Sequence, residues 1–84
     1  MYMNIKKSLA ISESGFVFDP STGDSYTLNP MGLQLLIMLR EGKGREEIIQ
    51  DITNEYDVDA HTFERYFQDF MGMLKQMQLV NSHA

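Results

Sequence analysis

Leu28-Asn29-Pro30-Met31-Gly32-Leu33-Gln34-Leu35-Leu36-Ile37-Met38-Leu39-Arg40-Glu41-Gly42 decides how this 84-residue chain folds. Both ends of a helix are marked in it. Asn29 suits an N-cap, because its side-chain oxygen accepts a bond from a free backbone N–H of the first turn. Pro30 then occupies the first helical position, where its missing N–H costs nothing. Gly42 takes the left-handed conformation that closes the helix, and Arg40 faces the negative end of the dipole. Placed at 100° per residue from Met31, the apolar side chains fall at roughly 0°, 40°, 80°, 140°, 200°, 240° and 340°. A helix apolar on nearly every side is buried on more than one face. It is too short for a membrane span, which needs about 20 apolar residues. It therefore reads as the central helix of a small domain, with a sheet on one side and further helices on the other.

Upstream, residues 5–12 alternate weakly, with Leu9 and Ile11 on one face. Glu13-Ser14-Gly15 is a turn signal, and Phe16-Val17-Phe18 is a β-prone run. Asp19-Pro20-Ser21-Thr22-Gly23-Asp24 reads as a hairpin loop, with proline presetting one turn residue and glycine supplying a positive φ. Ser25-Tyr26-Thr27-Leu28 alternates again. The first third is thus a three-stranded antiparallel meander whose last strand runs into the central helix. That last strand pairs on one side only, and its other side is a free edge.

Downstream, Gly42-Lys43-Gly44 separates off a second helix, Arg45 to Tyr56, with the apolar stripe Ile48, Ile49, Ile52, Tyr56. Asp59 is the expected N-cap of a third helix running to about Met77. Val58 and Phe63 flank that cap at the spacing of a hydrophobic staple. From Phe63 to Met77 the apolar band spans about 160°, wider than the ~100° a core-facing stripe needs. The fold class is therefore α+β and winged-helix-like: a meander followed by three helices, in one domain over residues 1–80. Residues 81–84 are expected to form a frayed tail.

Composition narrows the function. There is no cysteine, and the N-terminus lacks the apolar run of a signal peptide, so a cytoplasmic protein is the expectation. The two histidines, His61 and His83, have no nucleophile or base beside them, so no catalytic residue is assigned. Asp57, Asp59 and His61 alternate like ligands but lack the spacing of a calcium loop, so no metal or cofactor is assigned. Residues 41–69 hold nine of the twelve acids against three bases. The third helix would enter a DNA groove with Asp57 and Asp59 foremost, whereas DNA readers neutralise phosphates with Lys and Arg. A winged-helix DNA-binding or regulatory domain is thus the alternative, and a dimerisation module pairing through the free edge comes third. No nucleic-acid or membrane partner is expected.

The order and spacing of several short motifs carry a resemblance. They are Phe18-Asp19, the Thr22-Gly23-Asp24-Ser25-Tyr26 hairpin, Leu28-Asn29, Leu35-Leu36-Ile37-Met38-Leu39, Glu41-Gly42, Glu47-Ile48-Ile49, Tyr56-Asp57-Val58-Asp59 and Phe67-Gln68-Asp69-Phe70. Over about residues 8–80 the chain resembles the PqqD-like family of small peptide chaperones, whose fold is the RiPP recognition element. It departs from the family at Gly44, where Ser or Thr often starts the second helix. The resemblance implies a non-enzymatic domain that binds the leader segment of a ribosomally made precursor peptide and presents it to a modifying enzyme, often a radical S-adenosylmethionine (radical SAM) enzyme. It implies that the leader adds as a strand to Asp24, Ser25, Tyr26, Thr27 and Leu28, and lies against the third helix.

The residues alone point to the same two elements. A free strand edge offers unpaired N–H and C=O groups that an extended peptide satisfies by β-augmentation. The wide band on the third helix supplies side-chain pockets from Phe63, Tyr66, Phe67, Phe70 and Met71 or Met73. Arg65 and Lys75 are the cations available to leader acids. Spacing leaves open which flank of the band faces the edge. The protein is expected to be a monomer or a weak homodimer.

Overall fold

The computed structural model describes residues 4–81. The elements in order are β1 (Asn4–Ile5), β2 (Ala10–Ile11), β3 (Phe16–Asp19), β4 (Asp24–Thr27), α1 (Pro30–Arg40), α2 (Arg45–Glu55), α3 (Ala60–Gln76) and β5 (Val80–Asn81). The meander β2-β3-β4 is antiparallel throughout, and β1 pairs with β5 in a separate two-stranded sheet.

Helix α1 has both of the ends that its sequence marks. Asn29 Oδ1 accepts from the Gly32 N–H at 2.7 Å, and Pro30 opens the first turn. At the other end Gly42 has φ 88°. Its N–H donates to the Leu39 carbonyl, and the Lys43 N–H donates to that of Met38, which together make a Schellman closure. Between the caps Gly32, Leu35, Leu36, Met38 and Leu39 are buried, and only Pro30 and Arg40 are exposed. Helix α2 buries just Ile48 and Ile52. Helix α3 buries Phe63, Phe67, Phe70 and Leu74, and its N-cap Asp59 accepts from the Thr62 N–H at 3.1 Å. Val58, half-buried before that cap, packs on the core that holds Phe63, as a staple requires.

Two features depart from the expectations. The stretch 5–12 is not one strand. It breaks after Ile5, where the Leu9 N–H bonds back to the Lys6 carbonyl, and it resumes at Ala10. Arg40, expected only to face its own helix end, also reaches across with Nη1 to the Leu9 carbonyl at 3.4 Å. The second departure is β5. Asn81, expected in a frayed tail, pairs with Asn4, and residues 82–84 lie outside the described residues. The physical reason is burial on both sides of the pair: Ile5 and Leu79 both sit in the core, and the Lys6 N–H donates to the Leu79 carbonyl at 3.1 Å.

Helix α3 ends in a second Schellman closure, with Gln78 donating to Lys75 and Leu79 to Leu74. Here the left-handed position is filled by Gln78 at φ 59°. A side chain meets a steric penalty in that region that glycine avoids, less the greater backbone freedom glycine loses on folding. Gln78→Gly is therefore expected to stabilise the domain by about 0.5–1 kcal/mol, read as a rise in the midpoint of a thermal melt.

Candidate functional site

The free edge of β4 is held rigidly from behind. At the hairpin tip the Asp19 side chain is 1% exposed. Its carboxylate accepts from the Ser21 hydroxyl at 2.7 Å, the Ser21 N–H at 3.0 Å and the Lys6 ammonium at 3.1 Å. The Ser21 hydroxyl bond foremost, opposed by desolvation and helped by Lys6, holds this carboxyl below the usual carboxylate range. Its backbone carbonyl accepts from Thr22 and from Gly23, which has φ 81°. At the base of the hairpin the Leu28 N–H donates to the Gly15 carbonyl at 2.8 Å. Gly15 has φ 96°, and a Cβ there would run into the Leu28 carbonyl oxygen, so the two backbones meet as closely as glycine allows.

These bonds fix which groups of β4 face outward. The register pairs Phe16 with Thr27, Val17 with Tyr26 and Phe18 with Ser25. Antiparallel ladders alternate between pairs that exchange hydrogen bonds and pairs that do not. Leu28 bonds to Gly15, so two residues along, Tyr26 bonds to Val17. On the other side of β3 the Ser12 N–H donates to the Phe16 carbonyl at 2.9 Å, which turns the backbone groups of Phe16 and Phe18 toward β2. Ser25 and Thr27 therefore direct their N–H and C=O groups away from the sheet, along its open edge.

Beside that edge lies a cleft of about 280 Å³. One wall is Thr27, Leu28 and Asn29, the end of β4 and the cap of α1. The other is Tyr66, Asp69, Phe70 and Met73 on α3. Gly32 lines the cleft between them. A Cβ there would stand 3.1 Å from Asn29 Oδ1 and 3.4 Å from Phe70 Cε1, so the missing side chain both frees the cap and leaves room in the cleft. Tyr66 and Phe70 stack with centroids 6.4 Å apart, and Phe63 packs tilted against Tyr66 and Phe67 at 6.2 and 6.0 Å. The aromatic wall is thus braced from the core.

Of the residues singled out from the sequence, Thr27, Leu28, Tyr66, Phe70 and Met73 meet at this cleft. Asp24, Ser25 and Tyr26 continue along β4. Phe63 and Phe67 are buried core, 1% and 5% exposed. Met71 and Lys75 do not line the cleft, since the α3 flank that does so carries Tyr66, Asp69 and Met73. Arg65 is exposed one turn before Asp69. Asn29, Gly32 and Asp69 are lining residues that sequence reasoning does not assign. Asp69 had a legible signal: it sits three residues after Tyr66 and four before Met73, on the same helical flank.

A larger cleft of about 360 Å³ opens between α1 and α2 at Gln34, Met38, Lys43, Asp51, Asn54 and Glu55. Its polar groups are largely engaged with one another. Lys43 pairs with Asp51 at 3.2 Å, and that carboxylate raises the Lys43 pKa above its ordinary value. Gln34 bridges Glu55 and the Tyr56 hydroxyl. It adjoins no open strand edge, so size does not make it the better site. Among the described residues no three His, Cys, Asp or Glu side chains are grouped to hold a metal ion, and no helix is long and apolar enough to cross a membrane.

Comparison with known proteins matches residues 15–80 to the family described as Coenzyme PQQ synthesis protein D (PqqD). The chain belongs to the PqqD family. The PqqD match runs from Gly15, at the base of the hairpin, to Val80, and takes in both walls of the cleft. No curated protein sequence matches the chain. Two solved structures are similar over nearly their whole length. One, described as TbiB1 in complex with the TbiA(beta) leader peptide, is 32% identical with a TM-score of 0.85, covering 98% of this chain and 99% of that one. The other, a lasso peptide synthetase B1 complexed with the leader peptide, is 19% identical with a TM-score of 0.85, covering 98% and 100%. The second likeness speaks to the fold alone. The α+β PqqD-like architecture, three antiparallel strands followed by three helices, is common to all of them.

Proposed function

We propose that this protein is a non-catalytic peptide chaperone. It binds the leader segment of a ribosomally made precursor peptide and presents it to a peptide-modifying enzyme, of the radical SAM type or another class, in the cytoplasm. The observation that carries the reading is the open β4 edge, where Ser25 and Thr27 turn their backbone groups outward, next to the cleft walled by Tyr66, Phe70 and Met73. An added strand would satisfy the edge with little demand on sequence, and the cleft would supply the sequence preference. The leader-bound state of TbiB1, at 32% identity over the full chain, supports it. The binding module is residues 1–80, acting as a monomer or a weak homodimer.

DNA reading is disfavoured by charge: the start of α3 presents Asp57 and Asp59, and the net charge is −5. The test is an amide-shift titration with synthetic leader segments of the short peptides encoded beside this gene. Shifts should concentrate in residues 24–28 and on the Tyr66–Met73 flank of α3. Shifts confined to α2, or no binding by any such peptide, would defeat the proposal.

A further inference from the structure

We infer that the cleft beside β4 selects a peptide with a lysine or arginine among its inward-pointing side chains, and that Asp69 is the residue that reads it. This deepens the peptide-binding reading and rests on it. A strand added to β4 alternates its side chains between the outer face of the sheet and the α3 side. The inward ones meet the wall of Tyr66, Phe70 and Met73. That wall is apolar apart from the Tyr66 hydroxyl and one carboxylate, Asp69, and the opposite wall of Thr27, Leu28 and Asn29 carries no charge. The cleft therefore holds one carboxylate and no base.

Asp69 is exposed at the mouth of the cleft, and among the described residues it makes neither an ion pair nor a side-chain hydrogen bond. Two other acids, Asp51 and Glu64, are already paired, with Lys43 and with Arg45 at 3.1 Å. Arg65, one helical turn before Asp69, forms no pair with it. A carboxylate beside an apolar wall suits a side chain with a long methylene stem and a cationic end, which is what Lys and Arg are. The stem lies on Tyr66, Phe70 and Met73, and the charge reaches Asp69. Covering by the peptide removes water from the pair and strengthens it beyond an exposed surface contact. Asp24, at the start of the same edge, and the net charge of −5 add long-range attraction for a cation. An acidic residue in the same place would meet Asp69 with no base in the cleft to offset it.

The experiment selects binders from a displayed library of random dodecapeptides against four forms of the intact protein: wild type, Asp69→Asn, Asp69→Lys and Thr27→Pro. Asp69 is exposed, so its variants should fold, with circular dichroism as the check. Wild type should enrich Lys or Arg at one position of an otherwise apolar, alternating consensus. Asp69→Asn should lose that enrichment yet still retain peptides, and Asp69→Lys should exchange it for Asp or Glu. A wild-type binder should weaken about three- to tenfold against Asp69→Asn, and its Lys→Glu version should recover against Asp69→Lys. An unchanged consensus in Asp69→Asn and Asp69→Lys, with binding still abolished by Thr27→Pro, overturns the role of Asp69 and leaves strand addition standing. Binders indifferent to Thr27→Pro, or no retained peptide at all, overturn strand addition and this inference with it.

Discussion

Thr27→Pro is expected to weaken peptide binding about a hundredfold or more while leaving the domain folded. The substitution acts on one backbone bond between β4 and the incoming strand. Thr27 turns its N–H outward, so proline removes a donor that the meander does not use. The incoming strand then carries a backbone carbonyl with no partner at the centre of the contact, and the proline ring stands where that carbonyl must approach. An unsatisfied buried acceptor costs about 1–3 kcal/mol, and the ring adds to it. Because Thr27 also lines the cleft, Ser25→Pro serves as a second variant. Ser25 shares the outward orientation but is not among the cleft-lining residues, and it should give the same loss. Tyr26→Pro is the contrast: its N–H faces Val17, so this variant should damage the hairpin itself. Binding by fluorescence anisotropy, with a thermal melt of each variant, separates these outcomes. Undiminished binding by both outward variants would move the site off β4.

Leu36→Asp should abolish folding. Leu36 is fully buried at the middle of α1, in the core cluster that also holds Val17 of the sheet, Ile48 and Ile52 of α2 and Phe63 and Phe70 of α3. Truncating such a leucine to alanine alone costs about 2–5 kcal/mol. A chain of this size has only about 4–13 kcal/mol of stability in all. The introduced aspartate would in addition bury a carboxylate without a partner, which costs several kcal/mol more. The expected result is loss of a cooperative thermal transition and of amide dispersion, with peptide binding lost as a consequence. A folded variant that has selectively lost binding would show that Leu36 belongs to the site and not to the core.

What the sequence made legible was local. The caps of α1, the staple at Val58 and Phe63, and the hairpin at residues 19–24 are each encoded within a few residues, and each is found as expected. The free edge followed from the meander, because a strand that runs straight into a helix has only one neighbour. The two-residue strands β1 and β5 carry no period, and their partners lie at opposite ends of the chain, so nothing local announces them. The burial of Asp19 was hidden for a similar reason: Lys6, which reaches its carboxylate, comes before β2 in the chain, 13 residues away. The width of the apolar band on α3 was legible, but not which edge of it stays open. Only the placement of α1 decides that, by bringing Gly32 opposite Phe70. Gly32 itself reads in sequence as a weak helix residue, and its meaning lies in what a Cβ there would strike.

The pairing of β1 with β5 has a kinetic consequence. It closes a loop nearly as long as the chain, and loop closure of that length is entropically late in folding. The meander and the three helices rest on contacts much nearer in sequence. The terminal sheet is thus expected to be the last unit to form. Its opening also exposes Ile5 and Leu79, which sit in the shared core, and parts β1 from α1, so the terminal sheet braces the helix that carries Gly32 at the floor of the cleft.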